Sequence, residues 1–340
     1  MSFYEKIRGG ISMKTIKWGI VGCGDVTEVK SGPAFQLIEQ SSLQVVMRRN
    51  GEKAKDYAER HGVPKWYDKA EDLIHDDEVD AVYIATPPSS HMEYTIMAAK
   101  AGKPVYVEKP MANNLEECEE MVRVCEEHGV PLYVAYYRRS LPRFLKVKEL
   151  IEEGAIGEVR FASMQQTQQI VQKDEDGNWP WRVIPEKSGA GLFYDVGSHT
   201  LDLFDYLLGP LKDVRGFGLN LANSYPAEDT VSGVWKFESG AVGTGVWNFS
   251  SYKNEDDNRI VGTKGEIQFS TFDDKPVVLV TDAGEESFYI ERPKHIQQAH
   301  IQTIVDELLG KGTCPSTGKT ALRTNWVMGE LVKEYYQGKQ

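Results

Sequence analysis

The chain has 340 residues, 41% hydrophobic and 26% charged, a composition that excludes a disordered, collagen-like or disulfide-stapled protein and at this length predicts two domains. Against 51 Asp and Glu there are only 39 Lys and Arg, a formal net charge of −12. Such a surface repels phosphate backbones and anionic lipid, so neither nucleic acid nor a membrane is the expected partner.

The chain opens with MSFYEKIRGGIS, which lacks the apolar core of a secretory signal and reads as a leader before Met13-Lys14. Short apolar runs then alternate with helical patterns. Strands are expected at residues 15–21, 43–47, 65–67, 79–85, 105–107 and 132–135, and helices at 26–40, 52–61, 69–74, 88–101 and 114–128. That alternation predicts a parallel, doubly wound sheet over residues 13–135. After Tyr136 the pattern changes. A helix at 142–153 precedes strand-like runs at 158–167, 231–237, 241–250, 259–261, 266–270 and 277–281, with Gly240 and Thr263-Lys264-Gly265 as turns. Residues 136–316 are therefore expected as a largely antiparallel α/β domain, with Asp/Glu-rich mobile loops at 173–177 and 255–258. Helices are expected at 296–309 and 321–336, and the C-terminal helix of 317–340 is expected to pack back on the first domain. Cys23, Cys118, Cys125 and Cys314 form no CxxC pair, and no run reaches the length of a membrane span. A reducing, cytoplasmic setting follows.

Four motifs carry chemistry. Gly22-Cys23-Gly24-Asp25-Val26 follows an apolar strand and precedes a helix, where glycines permit a tight turn and close approach of a pyrophosphate. Thr27 replaces the third glycine, so the fingerprint is incomplete, and a plain strand-to-helix turn is the other reading. The second strand ends in Arg48-Arg49 with no carboxylate, which suits the 2′-phosphate of NADP over the ribose hydroxyls of NAD, or else is a solvated basic pair. Thr86-Pro87-Pro88-Ser89-Ser90-His91 and Glu108-Lys109-Pro110 lie at the carboxyl ends of successive strands, the rim where open α/β sheets bind ligands. A lysine there can favour an alkoxide, or can be an ordinary surface lysine. Finally, Ser188-Gly189-Ala190-Gly191 precedes Asp195, His199 and Asp202, which helical spacing places on one face. A histidine with a carboxylate one turn away can exchange a proton near neutrality; a first-turn dipole partner and a structural histidine are the alternative. No HExxH-like set or GxSxG elbow occurs, so neither a catalytic metal nor a serine hydrolase is expected.

Together GCGDV, ATPPSSH, EKP, Trp181-Arg182, SGAG with DVGSHxxD, and CPSTG resemble the glucose–fructose oxidoreductase / inositol dehydrogenase / MocA-type family across residues 14–336. The resemblance implies a Rossmann domain followed by an α/β domain whose open sheet makes homo-oligomer contacts. It also implies hydride transfer between NAD or NADP and the CH–OH or carbonyl of a sugar, a polyol or a related cyclic alcohol. It places the catalytic set on Lys109, Asp195 and His199, and nicotinamide-side contacts on Thr86, Pro87, His91, Glu108, Lys109, Trp181 and Arg182. Tyr137, where many relatives carry asparagine, Trp179 and His295 become substrate-pocket residues. The same fold also serves as a non-catalytic dinucleotide-binding sensor, but a sensor has no use for a proton-transfer set.

Overall fold

The structure is a computed structural model describing residues 15–337. The expected leader, and the outermost residues of the first domain and last helix, lie outside the described residues. Two compact units emerge, one of residues 15–140 with Pro293–Leu322, the other of Leu141–Arg292 with residues 323–337.

The first unit is built on six strands, β1 (Ile16–Val21), β2 (Ser41–Met47), β3 (Lys65–Tyr67), β4 (Ala81–Ile84), β5 (Val105–Val107) and β6 (Leu132–Val134). They pair in parallel in the order β3-β2-β1-β4-β5-β6. Strands β4, β5 and β6 are buried at every position, as a sheet covered by helices on both faces requires. The helices are α1 (Asp25–Val29), α2 (Ala34–Leu37), α3 (Gly51–His61), α4 (Ala70–Ile74), α5 (His91–Lys100) and α6 (Leu115–Glu127). The single helix expected at 26–40 is thus two short ones. Gly32-Pro33 interrupts it, and Gly32 lies so close to the Tyr57 hydroxyl that a Cβ would sit 2.1 Å from it. Residues 293–316, assigned from sequence to the second domain, lie in the first unit. Their helix places Ile301, Ile304, Val305 and Leu308 in one core with Trp18, Ile20 and Phe35.

The second unit carries an eight-stranded sheet in the order β14-β13-β12-β11-β7-β10-β9-β8. Its strands are β7 (Val159–Thr167), β8 (Leu211–Leu219), β9 (Thr230–Phe237), β10 (Val242–Asn248), β11 (Glu255–Gly262), β12 (Gly265–Phe269), β13 (Val277–Thr281) and β14 (Gly284–Phe288). Only β7 and β10 run parallel. Helices α7 (Pro142–Glu152), α8 (Pro185–Ser188) and α9 (Ser198–Leu208) belong to the same unit. Residues 255–258, expected as a mobile loop, begin β11 because Asp256 and Asn258 alternate inward and bond to one another, which hides the period of two behind polar letters. After α10 (Gln298–Leu308), helix α11 (Gly318–Gln337) divides at Leu322. Its first turn carries Ala321 into a core of the first unit. From Arg323 onward it joins the second unit, where Arg323 grips the Asp205 carboxylate at 2.6 and 2.9 Å. No helix among the described residues is long and apolar enough to cross a membrane.

Candidate active site

In the first unit the strand order reverses between β1 and β4, so the loops after those strands diverge and open a crevice at their carboxyl ends. Gly22 (φ +94°) lines it, and a Cβ there would approach the Thr86 methyl to 2.7 Å. Gly24, by contrast, has nothing nearer than 3.9 Å where its Cβ would be, leaving room at the turn for a phosphate group. The loop is tied to the neighbouring strand end, since the amides of Gly22 and Cys23 both donate to the Met47 carbonyl. Arg48 reaches the Cys23 carbonyl at 3.4 Å, while Arg49 is exposed. Thr27 is buried and bonds its hydroxyl back to the Gly24 carbonyl at 2.7 Å. These residues fit a dinucleotide.

Two buried side chains hold the rim that carries Lys109. His91 directs Nε2 at the Thr86 carbonyl (2.8 Å) and Nδ1 at the carbonyls of Pro110 (3.1 Å) and Met111 (3.2 Å). Burial lowers its pKa, against the opposing pull of those carbonyls, which raise it. Glu108 accepts the Tyr83 hydroxyl at 2.6 Å and the Gln297 amide at 2.7 Å on one oxygen, and the Lys109 backbone N–H at 3.2 Å on the other. The Lys109–Pro110 peptide is cis, and Lys109 itself is half-buried.

In the second unit Asp195 sits in a π-helical turn, Phe193–Gly197, that leads into α9. Gly197 makes the turn possible: a Cβ there would lie 2.4 Å from the ring of Phe193, which packs on Trp247. Such turns insert an extra residue into a helix and recur at functional sites. The turn is anchored upstream by Glu228, whose carboxylate accepts the Gly191 amide at 2.9 Å and also bonds the Tyr336 hydroxyl. Asp195 accepts from Arg182 Nε at 2.8 Å, and the Arg182 guanidinium lies 4.6 Å from the Trp181 ring centre. One turn on, His199 is 5% exposed with its ring edge-on to Phe272. Asp202 is fully enclosed and accepts from Thr324 at 3.3 Å. A partly exposed carboxylate and an imidazole at the start of one helix can orient a hydroxyl and take its proton.

Comparison with known proteins gives this geometry its context. Residues 16–136 match the model of an oxidoreductase family with an NAD-binding Rossmann fold, termed GFO_IDH_MocA. Residues 144–268 match that family's C-terminal domain. The chain is 41% identical to Oxidoreductase P35 of Formosa agariphila over 92% of its length and 97% of that protein's. This chain belongs to the GFO/IDH/MocA oxidoreductase family. It is 29% identical to D-xylose 1-dehydrogenase (NADP+) of Haloarcula marismortui, over 78% of this chain and 76% of that one. Levoglucosan dehydrogenase in complex with NADH shares the fold, with a TM-score of 0.84 at 22% identity over 95% of this chain and 98% of that chain. The chain is accordingly an NAD(P)-dependent oxidoreductase acting on CH–OH or carbonyl groups, and none of these relatives is named as a regulator.

Within this GFO/IDH/MocA chain the expected residues distribute unevenly. Gly22, Cys23, Gly24, Asp25, Val26, Arg48, Thr86 and Pro87 cluster at the strand ends of the first unit, whereas His91 and Glu108 lie beneath that rim as braces. Tyr137 is buried under the Arg138 guanidinium, 5.1 Å from its ring centre. His295 donates from Nδ1 to the Val29 carbonyl (2.6 Å), placing it beside α1 of the first unit. Trp179 packs edge-on against Tyr225 at 5.7 Å in the second unit. Sequence reading missed Gln297, Glu228, Tyr336 and Phe272. Each is a single residue far along the chain from the group it supports, and only the short acidic pair Glu228-Asp229 offered any signal.

Proposed function

We propose that the chain is an NADP-preferring sugar or polyol dehydrogenase in which His199 is the general base, Lys109 the alkoxide-stabilising cation and Asp195 the carboxylate that orients the substrate hydroxyl. The observation that carries the reading is the π-turn presenting Asp195 directly ahead of His199. Gly22, Cys23, Gly24, Asp25 and Val26 would cradle the pyrophosphate, and Thr86, Pro87, Lys109 and the Trp181-Arg182 pair would flank the nicotinamide end. A bound nicotinamide supplies the two-electron acceptor or donor for the hydride. In oxidation, His199 receives the hydroxyl proton while Lys109 offsets charge growing on that oxygen; Asp195, kept in place by Arg182, accepts a hydrogen bond from a neighbouring hydroxyl of the substrate or from the imidazole. His199→Ala and Lys109→Ala should each lose at least about 10²-fold in turnover while His199→Ala still binds dinucleotide. Near-normal turnover in both overturns these roles.

The cofactor preference rests on Arg49, exposed at the end of β2, with Arg48 anchored to the phosphate-loop turn. A charge-assisted bond to a phosphate contributes about 1.5–3 kcal/mol, so one contact gives at least about tenfold selection. Arg49→Ala should lower kcat/KM with NADP+ and leave NAD+ nearly unchanged; a wild type preferring NAD+, unaffected by the change, refutes it. We also propose a homo-oligomer formed through the outer sheet face. Phe161, Val242, Val246, Val234, Phe217 and Leu219 share that face by strand register, and each is more than two-fifths exposed. Val234→Lys should convert the assembly to monomers in light-scattering measurements. The four free, buried cysteines suit the reducing cytoplasm.

A further inference from the structure

The loop that follows β12, residues 270–275, is held far more firmly than a surface turn requires. The Asp256 carboxylate, 6% exposed on β11, accepts the Ser270 hydroxyl at 2.7 Å and the Phe272 amide at 2.6 Å. Arg143, equally buried on α7, donates to the carbonyls of Asp273 at 2.6 Å and Lys275 at 3.0 Å. Arg292 donates to the Phe272 carbonyl, and Asn258 to the Thr271 hydroxyl at 3.0 Å. Burying an aspartate and an arginine costs solvation, and the bonds they form here fix backbone rather than fill a core. Apolar packing at this place is supplied by the preceding residue: Phe269 stacks on Phe204 and meets Phe144 edge-on. Phe272 itself stays half-exposed, with its ring 5.9 Å from the His199 imidazole at 76°.

We infer that Phe272 is a specificity-determining residue, a fixed aromatic wall beside His199 that packs the C–H face of a cyclic polyol and so selects pyranoses and cyclitols over open-chain alditols. The inference rests on His199 as the proton acceptor proposed above. A ring held by its backbone at both ends offers a preorganised π face, and a saturated ring presents several axial C–H groups to it at once. A flexible alditol must freeze several torsions to present as many, which weakens the same contact. The polar edge of the substrate is left for the imidazole next to the wall.

The test is steady-state kinetics of the full chain on D-glucose, D-xylose and myo-inositol against D-sorbitol and xylitol, with NADP+ and NAD+. Wild type should favour a ring substrate. Phe272→Ala should raise KM for it about tenfold and narrow the ring-to-alditol ratio of kcat/KM, with dinucleotide KM unchanged within about twofold; Phe272→Tyr should keep the wild-type ratio. Should Phe272→Ala fail to fold, Phe272→Leu, which keeps volume without the π face, decides by the same ratio. An unchanged ratio, a loss confined to dinucleotide KM, or a wild type preferring alditols overturns the wall while leaving the role of His199 to the His199→Ala result. If wild type turns over no member of the panel, both fail together.

Discussion

Gln297→Ala should be among the most damaging single changes in the first unit, although Gln297 is an uncharged residue just before a helix. Its amide donates to the Glu108 carboxylate at 2.7 Å, and its carbonyl accepts the Tyr106 hydroxyl at 2.7 Å, with all three residues buried. A hydrogen bond to a charged acceptor contributes about 1.5–3 kcal/mol, and stranding the Tyr106 hydroxyl costs about 1–3 kcal/mol more. The expected loss is therefore about 2.5–6 kcal/mol, read from urea denaturation monitored by tryptophan fluorescence. Because Glu108 also accepts the Lys109 amide, turnover should fall beyond what the unfolded fraction explains. Tyr106→Phe should rescue part of the loss, since it removes the stranded hydroxyl. Gln297→Glu sets a second carboxyl against Glu108, and two adjacent carboxylates raise the pKa of one. A carboxyl raised on folding is stabilising below its unfolded value and loses that contribution as pH rises through the folded value. This variant should thus be most stable in acid and weaken toward neutrality, unlike wild type. A Gln297→Ala protein within about 0.5 kcal/mol of wild type, or one that Tyr106→Phe does not rescue, refutes the reasoning.

Gly22→Ala should abolish dinucleotide binding measured by calorimetry, since its left-handed φ and the 2.7 Å approach to Thr86 leave no place for a Cβ; retained affinity would show that the loop can shift. Gly197→Ala should unwind the π-turn because Phe193 is buried against Trp247, costing about 1–3 kcal/mol of overpacking and most of the turnover. A variant that melts lower but keeps kcat would separate the turn from catalysis. Glu28 is held down to about 2 from the usual 4.5, first by its hydrogen bonds from Arg60 and then by His61, against opposing burial. A depressed carboxylate stabilises above its unfolded value and loses that contribution as pH falls. The stability gap between wild type and Arg60→Ala should therefore close between about pH 4.5 and 2 and also shrink with added salt; a gap constant across that range refutes the pairing.

The first unit was largely legible because its signals are local. Buried parallel strands read as apolar runs, and glycine closes α3 as Gly62 in a left-handed conformation. The rim motifs follow directly once strand ends are known. What failed did so where polar letters hide burial or where a partner lies far along the chain. Strand β8 carries Lys212, Asp213 and Arg215 among its first residues, and Asp213 adopts a positive φ, so the alternation is broken at its start. Strand β14 exposes four of its five residues and takes its place only by pairing with β13. The π-turn was invisible for another reason. Spacings of four and three assign Asp195 and His199 to one ideal helix, but close packing of Phe193 over Gly197 inserts a residue that no periodicity records.

The buried residues that brace these loops share one physical character. Glu108, Glu228 and Asp256 are buried carboxylates whose oxygens each accept a backbone N–H, at Lys109, Gly191 and Phe272 respectively. His91 does the converse, facing three backbone carbonyls. Replacing such groups with well-packed apolar side chains is often neutral for stability, so net stabilisation does not explain their presence. Loops are where backbone groups have no ladder partner, and a loop that must stay dry and still at a reacting centre needs those partners from side chains. Each buried charge here lies under the loop or turn that bears a proposed functional side chain: Lys109, Asp195 with His199, and Phe272. That placement matches what precise positioning demands of supporting side chains, whose rotamers are themselves locked by burial. It also explains why the motif residues alone understate the site: the motifs name the groups that would touch substrate, while the geometry that makes them useful is set by carboxylates and amides contributed from elsewhere in the chain.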